Sequence, residues 1–305
     1  MHWVTTQTPG ETAAQHMLQI SNPIFKVTGG EMYRIEDEST LLVFGQDFEG
    51  FYEDGATQEY TYQVRRFKIS YTGTTLSVKI LNGEPLALDP NYRRRDLNVV
   101  PVTLHREGHN HPYLIAFAGV FTPETGVWTV PVRINKHGHT HMDNPAEAST
   151  FKQAMNQYQC ATLSLFSKKH KSAYVSFFGG ISYGFFQNGT FQTDEEFPFI
   201  NDVTTITIDK KGNYTQYLMD SSYPVIPSTQ SNPGNTLLFG AESHVIVAEG
   251  VPRLHNRVID FDSLSPGPTL VGYIIGGIQS TLPNTNVASD SSASPRIFSV
   301  TLIRP

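Results

Sequence analysis

Six of the chain's eleven histidines fall in two short stretches, "HREGHNH" (105–111) and "NKHGHTHMD" (135–143). On an extended segment alternate side chains project to the same side. His109 with His111, and His137 with His139 and His141, would therefore present imidazoles in sets. Neutral imidazole is the commonest side-chain ligand for zinc or copper, so a pair from each stretch could supply four nitrogens to Zn or Cu. The competing reading is that these are solvated turn histidines. The two stretches flank strands about 10 Å apart, and their loops would have to lean together to share an ion.

The elements that position these residues are strands. Charged residues make up 16% of the chain, while 24 Gly, 19 Pro, 14 Tyr and 19 Phe suit many short strands joined by tight turns. Helical periodicity is nearly absent; "NPAEASTFKQAMNQ" (144–157) offers at most a short helix or an extended connector. Internal repetition is the informative signal. Four apolar segments close on small residues that permit a tight turn or a close backbone approach: "LLVFGQ" (41–46), "YLIAFAG" (113–119), "AYVSFFGG" (173–180) and "LVGYIIGG" (270–277). Each follows a strand-like run, at 31–35, 98–104, 160–166 and 257–264, and precedes another, at 60–69, 127–134, 202–209 and 296–303. A second register places "AQHMLQISNPIFKVTGGEMYRI" (14–35) against "ESHVIVAEGVPRLHNRVIDF" (242–261), with His16 opposite His244. The last repeat ends after its third strand, so a further strand would come from the N-terminus, around "HWVTT", and would close the sheets into a ring without an edge.

A strand ending in Gly-Gly, a variable loop and then "NDVTTITID" (201–209) resemble the kelch repeat of β-propellers. The stretches from "FKQAMNQYQC" to "AYVSFFGGIS" and from "LLFGAESHVIV" to "TLVGYIIGGI" are similar to secreted kelch-like proteins of Bacteroidetes-type bacteria. That resemblance implies an all-β, kelch-like propeller built as one domain over 1–305. Four repeats are visible, for four or five blades, closed by pairing of the N- and C-terminal strands. It also implies export, to the periplasm, the cell surface or the medium. The N-terminus itself lacks the basic and apolar regions of a signal peptide. Kelch-like propellers include galactose oxidase, whose copper site needs a cysteine crosslinked to a tyrosine and two histidines. The single Cys160, in "NQYQCATL", is expected instead to be a small buried side chain.

In such an architecture the residues entering each innermost strand line a central funnel. Here they are polar: Gln15 and His16, Arg95 and Asp96, Asn156, Gln157 and Tyr158, then Glu242, Ser243 and His244. They could grip a small polar ligand or hydrogen-bond one another and trapped water. The loops "DFEGFYEDG" (47–55) and "GISYGFFQNGTF" (180–191) are rich in Tyr and Phe, which suits stacking on a sugar or a protein surface.

No GxSxG elbow, HExxH, phosphate loop or dinucleotide fingerprint occurs. A net charge of −6, with no basic run beyond Arg93, Arg94 and Arg95, argues against a nucleic-acid partner. No apolar run reaches the roughly 18 residues of a membrane helix. Three functions are therefore expected in competition. The first is a non-catalytic exported binding or surface protein contacting glycan or protein through loops on one face. The second is a carbohydrate-active enzyme with its site in the funnel, using Glu242, His244, His16 and Arg95. The third is a metal-binding protein using the histidine loops.

Overall fold

The computed structural model describes residues 9–51, 56–123 and 126–304. It is all-β, with antiparallel sheets and no helix beyond short 3-10 turns among the described residues. The first repeat contains β1 (Glu31–Arg34), β2 (Thr40–Val43), β3 (Gln46–Glu49), β4 (Thr57–Tyr60), β5 (Val64–Tyr71) and β6 (Leu76–Glu84). The second contains β7 (Asn98–Arg106), β8 (His109–Phe117), β9 (Val132–Ile134) and β10 (Thr140–Met142). The third contains β11 (Ala161–Ser167), β12 (Ser172–Ile181), β13 (Gly184–Gln187), β14 (Thr190–Thr193), β15 (Phe199–Ile208) and β16 (Tyr214–Ser222). The fourth contains β17 (Ser243–Val247), β18 (Ile259–Asp260), β19 (Gly267–Gly276), β20 (Ile278–Ser280), β21 (Ser291–Ala293) and β22 (Ile297–Arg304).

These strands form four successive meanders, ordered β1-β2-β5-β6, β7-β8-β9-β10, β11-β12-β15-β16 and β17-β19-β22. The hairpins β3-β4, β13-β14 and β20-β21 are inserted after the second strand of the first, third and fourth. Apolar alternation on the strands builds the core between neighbouring sheets. Leu41, Val43 and Val64 meet Val99, Leu114 and Val132 between the first two sheets. Val100, Val102 and Phe117 meet Val175, Phe177 and Ile206 between the second and third. Leu163 and Leu165 meet Val271 between the third and fourth.

Among the described residues no strand pairing or hydrophobic cluster joins the fourth sheet to the first. The segment "HWVTT", expected to supply a closing strand, lies outside the described residues. The 144–157 stretch is a connector of turns without a helix, and no helix among the described residues is long and apolar enough to cross a membrane.

One register differs from expectation. "RVIDFDSL" (257–264) is not the first strand of the fourth sheet. That strand is β17, from the alternative register, and 257–264 supplies only β18 and a 3-10 turn. β18 pairs in parallel with β11, on the free edge of the third sheet. A Pro-containing bend and the left-handed Arg257 (φ 69°) break the segment before it can lengthen into a ladder strand. Asn256 donates to the Val102 carbonyl at 3.0 Å, and His255 pairs with Glu36 at 3.0 Å. Residues 248–263 therefore cross from the fourth sheet beneath the first strands of the other three.

One backbone device recurs in all four repeats. Two consecutive left-handed residues mark each second strand, just past the end of β2 (Phe44, Gly45) and β8 (Ala118, Gly119), at the end of β19 (Gly276, Gly277), and at a bulge one residue before the end of β12 (Gly179, Gly180). The next residue then bonds to the chain just before the first strand. Gln46 N donates to Thr28 O (3.0 Å), Val120 N to Arg95 O (2.9 Å) and Ile278 N to Ala241 O (2.8 Å), while Tyr158 N donates to Ile181 O (3.1 Å). The approach is too close for a side chain: a Cβ on Gly45 would stand 2.7 Å from Thr28 O and 2.6 Å from the Val27 side chain. Gly45→Val combines that overlap with an unfavourable φ of +89°. It should cost about 3 kcal/mol or more in urea unfolding. Gly250→Ala, at φ +79° in open space, should cost only about 1 kcal/mol.

Candidate functional site

A second backbone feature builds the site. The residue one or two positions before each first strand is also left-handed: Gly29 (φ 64°), Asp96 (φ 51°), Gln159 (φ 48°) and Glu242 (φ 58°). For the three non-glycine residues this conformation costs about 1–2 kcal/mol each and persists only where neighbours fix it. The neighbours are the other bends. Asp96 N donates to Gly29 O at 2.7 Å, and Glu242 N to Gln159 O at 2.6 Å. Asn98 joins the middle pair, its amide donating to Gln157 O (2.7 Å) and its carbonyl accepting from Cys160 N (2.9 Å). The four bends are thus bonded in sequence, and the first strands leave from them side by side.

They bound one cavity of about 500 Å³, lined from all four sheets by Glu31, Asn98, Gln159, Thr162, Glu242 and His244 among others. Each first strand begins where its antiparallel second strand ends. The hairpins that follow the second strands therefore rise from the same end of the molecule as the cavity. Phe186 and Phe191 on β13-β14 stack edge to face at 5.5 Å and are partly exposed, and Phe51 beyond β3 is exposed.

The electrostatics are those of carboxylates gathered at a half-buried site, Glu31 and Asp96 partly covered and Glu242 exposed. Burial pushes the Glu31 carboxyl up to about 7, and the charge of Glu242 adds to the effect. Glu242 is raised by burial and by Asp96, with His244 opposing. Asp96 is raised by burial against the pull of Arg95, which pairs with it at 3.2 Å. The Tyr158 phenol is pushed up by burial and by Asp96. Such a site holds a proton near neutrality and offers several acceptors to an incoming donor.

Of the funnel residues expected from sequence, Glu242 and His244 line this cavity. Asp96 lies close enough to raise Glu242. Arg95 is buried with its guanidinium over the Phe121 ring at 4.8 Å, and Tyr158 packs edge-on to Phe197 at 6.4 Å. Gln157 is fully buried in the third sheet, donating to Gly179 O (2.7 Å) and Asp202 O (2.9 Å) and accepting from Thr204 (2.6 Å). His16 stands apart on the exposed 3-10 turn Ala13–His16, paired with Glu11 at 2.8 Å. Its expected place is taken by Gly29 and Glu31. The Gly-Gly before "EMYRI" is the signal that marks this bend. Cys160 is buried and free, its thiol pushed up to about 12 by burial, so it lines the cavity floor as an inert group.

The histidine stretches form the β7-β8 and β9-β10 turns, at the opposite end of the second sheet. His109 and His111 lie ring to ring at 6.3 Å, and His137 and His139 at 6.2 Å. His139 pairs with Glu84 at 3.2 Å and His141 with Asp143 at 2.9 Å. Among the described residues no three His, Cys, Asp or Glu side chains are grouped to hold a metal ion.

No protein-family model and no curated protein matches the chain.

The raised carboxyl sets a pH dependence. Folded Glu31 keeps its proton to about pH 7, whereas in the unfolded chain it releases it near the ordinary glutamate value of 4.5. Between these values the folded state binds more protons, so this group's contribution falls as pH rises. Glu31→Gln should match the parent protein at pH 4 and exceed it at pH 8 by up to about 2 kcal/mol after solvent screening. Urea midpoints across pH read the difference directly, and parallel profiles would refute the assignment.

Proposed function

We propose that this chain is an exported, kelch-like β-propeller of four visible blades that binds a glycan without transforming it. Four meanders in series, with the same left-handed pair at the end of every second strand, support the propeller reading. So does the Asn201-Asp202 run inside β15, where the Asn201 amide clamps Leu237 O and Phe239 N. Export rests on the resemblance to secreted kelch-like proteins.

The observation that carries the binding reading is the central cavity, to which all four first strands contribute polar side chains at the end where the hairpins rise. Its volume suits one or two sugar residues. Carboxylates and amides at Glu31, Glu242, Asn98 and Gln159 accept from and donate to hydroxyls, while the aromatic pair on β13-β14 offers a stacking surface at the same end of the molecule.

One observation favours a second reading. A carboxyl protonated near neutrality, Glu31, beside a second carboxylate, Glu242, is the division of labour that glycoside hydrolysis uses.

A glycan array followed by calorimetry on the best ligand tests both. Binding should weaken about tenfold or more on Glu242→Gln and on shortening of the 184–193 hairpin, with no product released. Turnover of a bound glycan, lost on Glu31→Gln, would replace the binding reading with the enzymatic one. Absence of glycan binding, or binding indifferent to both changes, would remove the cavity from the function.

A further inference from the structure

A second cavity, of about 360 Å³, lies at the opposite end, between the β1-β2 turn, the second sheet and the crossing segment at residues 255–257. Its walls differ in kind from those of the central cavity. Tyr33, Pro101 and Pro112 supply flat apolar surfaces, and Lys136 and Arg257 are among the lining residues. The charges are unbalanced. Glu38 pairs with Arg34 at 3.5 Å and Glu36 contacts His255 at 3.0 Å, while Lys136 and Arg257 make no ion pair among the described residues, so the three cations of the lining outnumber its two carboxylates. Arg257 is close enough to Tyr33 for its charge to oppose the effect of burial on the phenol.

Two constraints hold this geometry in place. Arg257 sits at φ 69°, a strained value for a residue with a side chain, within a turn closed by Arg257 N to Leu254 O at 2.9 Å. Its neighbour Asn256 is bolted to β7 by bonds to Val102 O (3.0 Å) and Thr103 Oγ1 (3.1 Å). Strain fixed this firmly on a loop is characteristic of sites that present a side chain to a ligand.

We propose that this far-end cleft binds a small ring bearing a carboxylate, the ring lying against Tyr33, Pro101 and Pro112 and the carboxylate meeting Arg257 and Lys136. Guanidinium and ammonium groups without ion-pair partners select an anion over its neutral analogue, and an aromatic and proline wall selects a ring over an open chain. Sugar acids and aromatic acids share this chemistry.

Calorimetry with glucuronate and benzoate, each against its neutral counterpart, glucose or benzyl alcohol, separates the two sources. At least one acid should bind at millimolar concentration or better, about tenfold tighter than its neutral counterpart, and the tighter of the two acids identifies the ring. Binding should weaken with added salt. It should fall about tenfold in the double variant Lys136→Gln, Arg257→Gln and persist in Glu31→Gln. Equal affinity for acid and neutral forms, no binding of either acid, or loss in Glu31→Gln instead would overturn the proposal. The salt series on unaltered protein tests the charge requirement even if the double variant unfolds, and binding indifferent to salt would count against the two cations. Glycan binding at the central cavity should survive in the double variant, so failure at one end is distinguishable from failure at the other.

Discussion

Close approach of backbone to backbone at the entrance of each sheet is the constraint on which the rest depends. The left-handed pair at the end of every second strand turns the chain sharply enough for the following residue to bond to the segment before the first strand. The left-handed bends at Gly29, Asp96, Gln159 and Glu242 then bond to their neighbours. Within each sheet a one-residue slip would send every apolar side chain of a strand to the wrong face, and the bonds between bends hold each sheet in place against its neighbour. The inter-sheet cores around Phe117, Phe177 and Leu165 are consequences of that registration.

The same constraint explains why costly groups are tolerated. Ionised carboxylates gathered near one cavity repel, and a buried carboxyl meets the charge cost by keeping its proton. Glu31 and Glu242 sit where the strand starts leave them no other position. Arg94 is a parallel case. It is fully buried with no carboxylate partner among the described residues, and its charge is met by the Ala118 and Val130 carbonyls and by the rings of Trp128 (4.6 Å) and Phe44 (5.7 Å). Burial pulls its pKa down to about 9. A guanidinium with this many acceptors and ring faces still keeps its proton at neutral pH. It ties the second sheet to the first through its own backbone carbonyl, which accepts from Gly45 N at 3.0 Å, and through the Phe44 ring.

Much of the fold was legible because period-two alternation and terminal glycines are local signals. The second strands at 41–46, 113–119, 173–180 and 270–277 all stand where those signals place them. The fourth first strand was ambiguous because "ESHVIV" and "RVIDFD" both alternate. Only the long-range partner β19, which lies far along the chain, selects the first of them. The cavity was half legible. Glu242, His244 and Asp96 follow from their place at strand entries. Glu31 is hidden in the sequence because the bend before it uses glycine, which carries no polar marker, whereas the more conspicuous His16 lies one segment too early. Gln157 stands two positions from Gln159 along a bent segment, and its side chain turns into the third sheet instead of the cavity.

The two cavities differ in lining while sharing the strand β1. Residues 248–263 pair with β11 and anchor to β7 through Asn256, and residues 255–257 form one wall of the far cavity. At one end, acidic and amide side chains from four sheets face one another; at the other, tyrosine, proline and the cations Lys136 and Arg257 do. The acidic lining of the first, from Glu31 and Glu242, contrasts with the mixed lining of the second, where Arg34, Lys136 and Arg257 stand with Glu36 and Glu38. Tyr33 lines both cavities, so β1 is a wall that the two sites share, and a ligand that moves this ring at one end alters the lining of the other.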